Sequence, residues 1–223
     1  MGSLLSTDEQ PLHLVNIEYS LHVTQTEVTV SQYETCVNAD VCTIIGMDGE
    51  YCTWNEPSAA RDDLPINCIS RAQASDFSGW TGGRLPSESE WEYIAKSRGM
   101  RESYPWGSAP EPTCDYAQYT NSADAGCGLG RPDIVCNHPL GNTLQNVCDM
   151  SGNVSEWVLD EYTTNYESSP LDGSANCFEC DGNGSFVMRG GSWITGGGTL
   201  RTADRSQAPA QEHSSQIGFR LVY

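Results

Sequence analysis

The segment from Asp149 to Glu156 contains the residue types of a calcium site. Asp149 and Glu156 place two carboxylates seven positions apart, with Gly152 and Asn153 between them. Calcium takes several oxygen ligands, commonly carboxylates together with backbone carbonyls, and Gly and Asn readily form the tight bend that aims carbonyls inward. The segment is therefore the best metal candidate in the chain. The alternative is that the two acids only cap turns.

Ten cysteines are the second chemical feature of the chain. Their even number and wide spread favour disulfides, and hence an oxidising compartment. Structural zinc is the alternative, but a zinc ribbon needs two Cys-x2-Cys pairs and only Cys177 and Cys180 have that spacing. The sequence does not fix the pairing. We predict bonds between sequence neighbours: Cys36–Cys42, Cys52–Cys68, Cys114–Cys127, Cys136–Cys148 and Cys177–Cys180.

The charge of the chain excludes several classes of partner. Its 223 residues include 30 Asp and Glu against 11 Lys and Arg, a formal net charge of −19. Nucleic-acid binding needs a basic surface, and adhesion to anionic lipid needs one too. No apolar run approaches the ~18 residues of a membrane span. We therefore expect a protein that binds no nucleic acid and does not insert into a membrane. The predicted disulfides add an extracellular, cell-surface or periplasmic location.

Three helix starts are marked by capping boxes, in which a Ser or Thr and the Gln or Glu three residues later satisfy each other's backbone amides. They are Thr29–Gln32, Ser70–Gln73 and Ser87–Glu90. Alternating residues over 12–29 predict strands, and the segments 186–193 and 218–223 predict two strands that close a sheet.

The organisation predicted from these elements is a single domain. Residues 1–12 are polar and unpatterned, which predicts a flexible N-terminal segment, and residues 13–223 form the domain. Residues 100–186 are rich in Gly, Pro, Asn, Asp and Cys and predict long structured loops held by disulfides. The fold class is α+β, with little regular secondary structure.

Seven segments, in collinear order, carry a family resemblance over about residues 14–222. They are 26–33, 65–70, 83–93, 104–107, 149–157, 189–193 and 218–220, with Asp-Met-Ser-Gly-Asn-Val-Ser-Glu-Trp and Gly-Phe-Arg among them. Together they resemble the formylglycine-generating-enzyme, or sulfatase-modifying-factor, family. The resemblance implies a compact, loop-rich variant of the C-type-lectin-like fold that is stabilised by calcium.

The resemblance also implies a ligand set for the calcium ion. The ligands would be the side chains of Asp149 and Glu156 and the backbone carbonyls of Gly152 and Val154. The family commonly has Asn where Asp149 stands. The additional negative charge is expected to tighten calcium binding.

The resemblance breaks down at the catalytic residues. Active members of the family oxidise a substrate cysteine with O2, using two copper-binding cysteines before the final strand. The matching stretch, residues 194–207, contains no cysteine, and Thr202 stands where the second should be. A hydroxyl cannot replace the soft sulfur ligands that Cu(I) needs. We therefore predict no catalytic residue and no formylglycine formation.

The remaining expectation is a non-catalytic ligand-binding or structural module. Recognition is expected in the Gly- and Ser-rich loop 195–216, because loops on a rigid scaffold commonly carry binding. The partner would be a protein, a glycan or another copy of the chain. The candidate ligand-binding residues are Trp193, Thr199, Arg201, Asp204, Arg205 and Gln207.

Two alternatives to this module stay open. One is an enzyme of unassigned chemistry that uses Asp204 with Arg201 and Arg205, although an acid between two cations is equally a structural ion pair. The other is a structural subunit of a surface assembly. Variable ligand-binding proteins of diversity-generating retroelements resemble this domain as well, but they carry dense Asn in the C-terminal stretch, where this chain has none.

Overall fold

One four-stranded sheet organises the structure. The computed structural model describes residues 1–44, 49–121, 124–177 and 184–223. The strands are β1 (Ser155–Glu161), β2 (Ser185–Arg189), β3 (Ser206–Pro209) and β4 (Ile217–Gly218). Their order across the sheet is β3-β2-β1-β4. β2 is antiparallel to both β1 and β3, whereas β4 is parallel to β1.

Four α-helices precede the sheet in the chain. They are α1 (Val30–Asn38), α2 (Ser58–Arg61), α3 (Arg71–Trp80) and α4 (Glu88–Ala95). The three predicted capping boxes are confirmed at the starts of α1, α3 and α4, with both reciprocal hydrogen bonds present in each. The described residues also contain short 3₁₀ turns, at Thr53–Asn55, Ala125–Gly128, Pro139–Gly141 and Gly197–Leu200. No helix in the described ranges is long and apolar enough to cross a membrane.

The hydrophobic core lies on both faces of β1. Trp157 packs in a cluster with residues of α1 and α3, whereas its neighbour Val158 packs in a second cluster with Trp91 of α4. Successive side chains of a strand point to opposite faces, so β1 is covered on both sides. This arrangement holds α4 against the sheet, and α4 carries several of the charged groups described below.

Disulfides hold the loops. The predicted bonds Cys36–Cys42, Cys52–Cys68, Cys114–Cys127 and Cys136–Cys148 are all formed. The fifth predicted pair includes Cys180, which lies outside the described residues. The α+β, loop-rich, disulfide-stabilised fold predicted from the sequence is confirmed.

The strand prediction for residues 12–29 is wrong. This segment makes only isolated bridges, at Val23 and Thr29. The amides of Thr24 and Val28 donate to carbonyls of residues 219–221, but the bonds are too widely spaced for a continuous ladder. The predicted strand 218–223 is likewise reduced to β4 and two isolated bridges at Val222, to Val23 and to Arg84. The strand 186–193 ends at Arg189 because two glycines with positive φ follow it.

Candidate functional site

Three buried carboxylates and one guanidinium lie at the predicted calcium segment. They are Glu27, Asp149, Glu156 and Arg220, hereafter the Glu27 cluster. Asp149 is 8% exposed, and the other three side chains are fully buried. Glu27 precedes α1, Glu156 lies on β1 and Arg220 follows β4, so the sheet and the adjoining loops bring together groups from distant parts of the sequence.

The backbone between Asp149 and Glu156 forms the predicted tight bend. Gly152 and Asn153 have φ values of 86° and 60°. A Cβ atom on Gly152 would lie 2.4 Å from the carbonyl oxygen of Gln118, so only glycine fits there. The amide of Asn153 donates to that same oxygen at 2.8 Å. The bend is therefore fixed by close backbone approach as well as by residue type.

Hydrogen bonds engage the carboxylates of the cluster unequally. Glu156 accepts from Arg220 Nε and Nη2 at 2.7 and 2.6 Å, and from Trp91 Nε1 at 2.7 Å. Asp149 Oδ2 accepts from the amide of Cys136 at 2.6 Å. Glu27 accepts from Asn153 Nδ2 at 2.7 Å and from the Val154 amide at 3.1 Å. Glu156 is thus ion-paired, whereas Glu27 and Asp149 have neutral donors.

The pKa shifts follow from this imbalance. Burial raises the pKa of Glu27 well above its usual range, the charges of Asp149 and Glu156 raise it further, and Arg220 opposes them. Burial also raises the pKa of Asp149, although the amide of Cys136 and Arg220 oppose the shift. When all three carboxylates are ionised, one guanidinium leaves an excess of buried negative charge, and the raised pKa values mean that protonation relieves it.

The donor set suits calcium in its chemistry. The predicted ligands are oxygen atoms only, as Ca²⁺ prefers, and a divalent cation would balance the excess negative charge of the Glu27 cluster. Within the described residues, no three Asp, Glu, His or Cys side chains converge as metal ligands. A calcium ion would therefore depend on backbone carbonyls besides Asp149, and it would share Glu156 with Arg220.

A second buried ionic group lies where α4 meets the C-terminal loop. It consists of Glu88, Glu92, Lys96, Arg189 and Arg205, hereafter the Arg189 cluster. Arg205 donates to both oxygens of Glu88, at 2.6 and 2.8 Å. Glu92 accepts from Arg189 Nη2 and Lys96 Nζ, each at 2.7 Å. The acids of this cluster are matched by Lys96 at the end of α4, Arg189 at the end of β2 and Arg205 just before β3.

The N-terminal segment 1–12 packs on this part of the loop. Arg201 binds both carboxylate oxygens of Glu9, at 3.0 and 2.7 Å, and Glu9 is buried. Arg205 Nη1 donates to the carbonyl oxygen of Asp8 at 2.8 Å. Two of the predicted ligand-binding side chains are therefore engaged within the chain.

The other candidate ligand-binding residues occupy different environments. Trp193 is buried, and its Nε1 donates to the Ser215 carbonyl at 3.0 Å. Asp204 is half-buried; burial raises its pKa to about 6 against the opposing charges of Arg201 and Arg189. Thr199, by contrast, is half-buried in the 3₁₀ turn Gly197–Leu200, where its hydroxyl donates to Thr195 Oγ1 at 2.8 Å, and Gln207 is exposed on β3. These two residues remain accessible for recognition.

A buried threonine occupies the position that resembles the family's second copper-binding cysteine. Thr202 is fully buried, its hydroxyl donates to the Glu102 carbonyl at 2.9 Å and its amide donates to the Ser103 carbonyl at 2.8 Å. It lines a cavity of about 220 Å³ that the N-terminal residues Gly2 and Ser3 also line. The sequence contains no cysteine after Cys180.

Sequence reasoning overlooked Glu27 and Arg220 in the Glu27 cluster, and Glu88 and Arg189 in the Arg189 cluster. All four lie inside the segments that carry the family resemblance. The sequence does contain a signal for them: each is a charged residue within an otherwise apolar or turn-forming motif. A charged residue in a buried motif needs a partner, so such positions indicate buried ion pairs.

Comparisons with known proteins agree with this architecture. The sulfatase-modifying factor enzyme 1-like domain matches residues 1–223. The formylglycine-generating enzyme of Streptomyces coelicolor is 31% identical over 189 residues, which cover 76% of this chain and 57% of that protein. The chain therefore spans little more than half the length of this relative.

Two solved structures share the fold. The structure of PvdO from Pseudomonas aeruginosa superposes with a TM-score of 0.84 at 24% identity, covering 100% of this chain and 89% of that one. Treponema denticola variable protein 1 gives a TM-score of 0.72 at 19% identity, covering 99% and 90%. On the sequence match over its whole length, this chain belongs to the sulfatase-modifying factor enzyme 1-like domain family.

Proposed function

We propose that the chain is a non-catalytic, extracytoplasmic ligand-binding or structural module on a calcium-stabilised lectin-like scaffold. The observation that carries the proposal is Thr202, a buried hydroxyl bonded to the backbone where the resemblance places a copper-binding thiol. Oxidation of a substrate cysteine by copper requires sulfur ligands, and none is available in this stretch.

The loop surface supports recognition rather than chemistry. Arg201 and Arg205 are tied to Glu9 and Glu88, so they hold the loop in place. Thr199, in the 3₁₀ turn, and Gln207, on β3, are accessible within residues 195–216, and Ile194 just before this segment is exposed. A rigid frame with a few accessible polar and apolar side chains is the usual construction of a binding loop. The partner we propose is a protein, a glycan or a second copy of the chain.

An extracytoplasmic location is supported by the disulfides. Four bonds are formed among the described residues, and such bonds persist in oxidising compartments. Calcium is supported by the excess negative charge of the Glu27 cluster.

The proposal is tested by binding to glycan and protein-ligand arrays, with and without calcium. We expect the wild type to bind a component of the arrays. The double variant Thr199→Ala, Gln207→Ala should lose this binding, whereas Gln145→Ala, at an exposed position outside residues 195–216, should retain it. Failure to bind any array component would contradict ligand recognition.

A second assay addresses catalysis. The protein is incubated with Cu(I), O2 and a cysteine-containing sulfatase peptide, and the peptide is analysed by mass spectrometry. We expect the cysteine to remain unchanged. Conversion to formylglycine would overturn the non-catalytic assignment.

A further inference from the structure

Two exposed arginines differ from the partly exposed arginines of this acidic chain, which pair with carboxylates. Arg98 and Arg101 are exposed, and no carboxylate pairs with either of them in the part of the chain that the structure describes. By comparison, the exposed guanidinium of Arg131 lies 3.3 Å from Glu56. Unpaired cations are unexpected in a chain with a net charge of −19, because acidic partners are abundant.

The turn that presents the two arginines is held in an unusual backbone conformation. After α4, residues Ser97, Arg98 and Gly99 have φ values of 48°, 71° and 78°. The left-handed conformation costs roughly 1–2 kcal/mol for each non-glycine residue, and such strain is commonly found at functional sites. The Ser97 hydroxyl accepts from the Leu144 amide at 3.0 Å, which fixes the turn from outside.

Both arginines line one cavity of about 420 Å³ between this turn and residues 12–17. That volume lies in the range of small-molecule sites, roughly 300–1,000 Å³. Apolar side chains form much of the wall: Leu12, Leu14, Val15, Ile17, Tyr93 and Met100.

The polar part of the wall favours an anion. Among the described residues that line the cavity, Glu92 is the single acid, and Arg189 and Lys96 already bind it. His13 also lines the cavity, and its buried Nε2 atom has no hydrogen-bond partner within the described ranges. The wall thus combines two free guanidinium groups, an unsatisfied imidazole nitrogen and an apolar surface.

We propose that this cavity binds a small carboxylate that carries an apolar chain. The guanidinium groups of Arg98 and Arg101 bind the carboxylate, a group that their planar donors fit. The apolar wall covers the chain of the ligand, so neither an inorganic anion nor an uncharged alcohol would satisfy both parts of the site. The site is separate from Thr199 and Gln207, and it does not depend on recognition by the C-terminal loop.

Isothermal titration calorimetry with decanoate tests the proposal, with acetate and decanol as the head-group and chain controls. We expect saturable binding of one decanoate per chain, and at least tenfold weaker binding of acetate and of decanol. The double variant Arg98→Gln, Arg101→Gln should bind decanoate at least tenfold more weakly, and Arg98→Lys, Arg101→Lys should fall between it and the wild type. Arg131→Gln, at a partly exposed arginine elsewhere, should bind as the wild type does.

Three outcomes would overturn the proposal: no binding of decanoate to the wild type, equal binding by the double Gln variant, or equal binding of decanol. Unchanged thermal unfolding of the double Gln variant shows that a lost affinity is not lost folding. Because the two arginines are exposed, we expect that control to hold. Decanoate binding should also weaken as salt is added, since salt screens exposed charges.

Discussion

The Glu27 cluster and the Arg189 cluster are both buried ionic groups, yet they differ in charge balance. The Glu27 cluster has three carboxylates and one guanidinium, whereas the Arg189 cluster has two carboxylates and three cations. The pKa shifts differ accordingly. The pKa of Glu92 is lowered, because Arg189 and Lys96 outweigh the effect of burial. The pKa of Glu27 is raised, because Arg220 does not outweigh it.

This difference separates a structural network from a candidate ion site. A buried charge is tolerated when partners compensate for it. The Arg189 cluster supplies its own partners and needs nothing else to join α4 to the loop. The Glu27 cluster has one guanidinium for three carboxylates, so a proton or a further cation would balance the remaining charge.

The largest expected effect comes from removing one fully buried guanidinium from each cluster. Arg220→Met leaves three buried carboxylates without a cation, and removing one partner of a buried pair costs roughly 3–5 kcal/mol. Arg189→Met removes an equally buried guanidinium, but Lys96 and Arg205 remain beside the two acids. We therefore expect a smaller loss of the free energy of unfolding for Arg189→Met, as measured by urea titration.

Arg131→Met provides the reference for these two variants. Its ion pair with Glu56 is partly exposed, and such pairs contribute about 0–1 kcal/mol. If Arg189→Met proved as destabilising as Arg220→Met, charge balance would not distinguish the two clusters.

Calcium gives the next largest effect. We expect EDTA to lower the melting temperature and added calcium to restore it, because a ligand that binds only the folded state stabilises it. At a concentration 100 times its dissociation constant, the stabilisation is about 2.7 kcal/mol. Differential scanning calorimetry measures the shift.

Substitutions assign the calcium effect to one cluster. Asp149→Ala should abolish the shift, whereas Asp149→Asn, which keeps an oxygen ligand, should retain a weaker one. Lys96→Met, in the Arg189 cluster, should leave it intact. The same melting temperature for the wild type in EDTA and in millimolar calcium would refute the proposed site.

Per pH unit, the smallest expected change is a pH dependence at the border of the Arg189 cluster. Burial, together with the charge of Glu88, raises the pKa of Asp160 to about 7 from an ordinary value of 3.8. The folded state therefore binds more protons than the unfolded state between these pH values, and the free energy of unfolding falls as pH rises. One such group contributes a slope of at most about 1.4 kcal/mol per pH unit.

Urea titrations at several pH values, from about 5 to 8, test this sign. Asp160→Asn should flatten the decline relative to the wild type. The lowered pKa of Glu92 acts in the opposite direction, since its stabilisation is lost as pH falls toward and below the ordinary value of 4.5. Parallel pH profiles for the wild type and Asp160→Asn would show that Asp160 has no such role.

Local features of the structure could be predicted from the sequence. A capping box needs only two residues three positions apart, and the four described disulfides join near neighbours in the chain. The bend at Gly152 follows from residue type in the same way. These features depend on a few adjacent residues, so no knowledge of the tertiary fold is needed.

The ionic clusters could not be predicted in this way. Arg205 and Glu88 are separated by 117 positions, and the amide of Val154 reaches Glu27 across 127. Such pairs arise only when the sheet has formed. The N-terminal segment was expected to be flexible for the same reason: its polar residues show no local pattern, and their partners Arg201 and Arg205 lie far away in the sequence.

The disulfides of this chain span short distances: 6, 16, 13 and 12 positions. None of the four ties the sheet to a remote segment. Several of these cysteines are nevertheless buried: Cys36, Cys52 and Cys68 belong to the core cluster of Trp157, and the carbonyl of Cys148 accepts from Arg220 at 2.9 Å. Each bond therefore closes a local loop whose ends are anchored in the core, so we expect reduction to loosen the packing around the sheet as well as the loop itself.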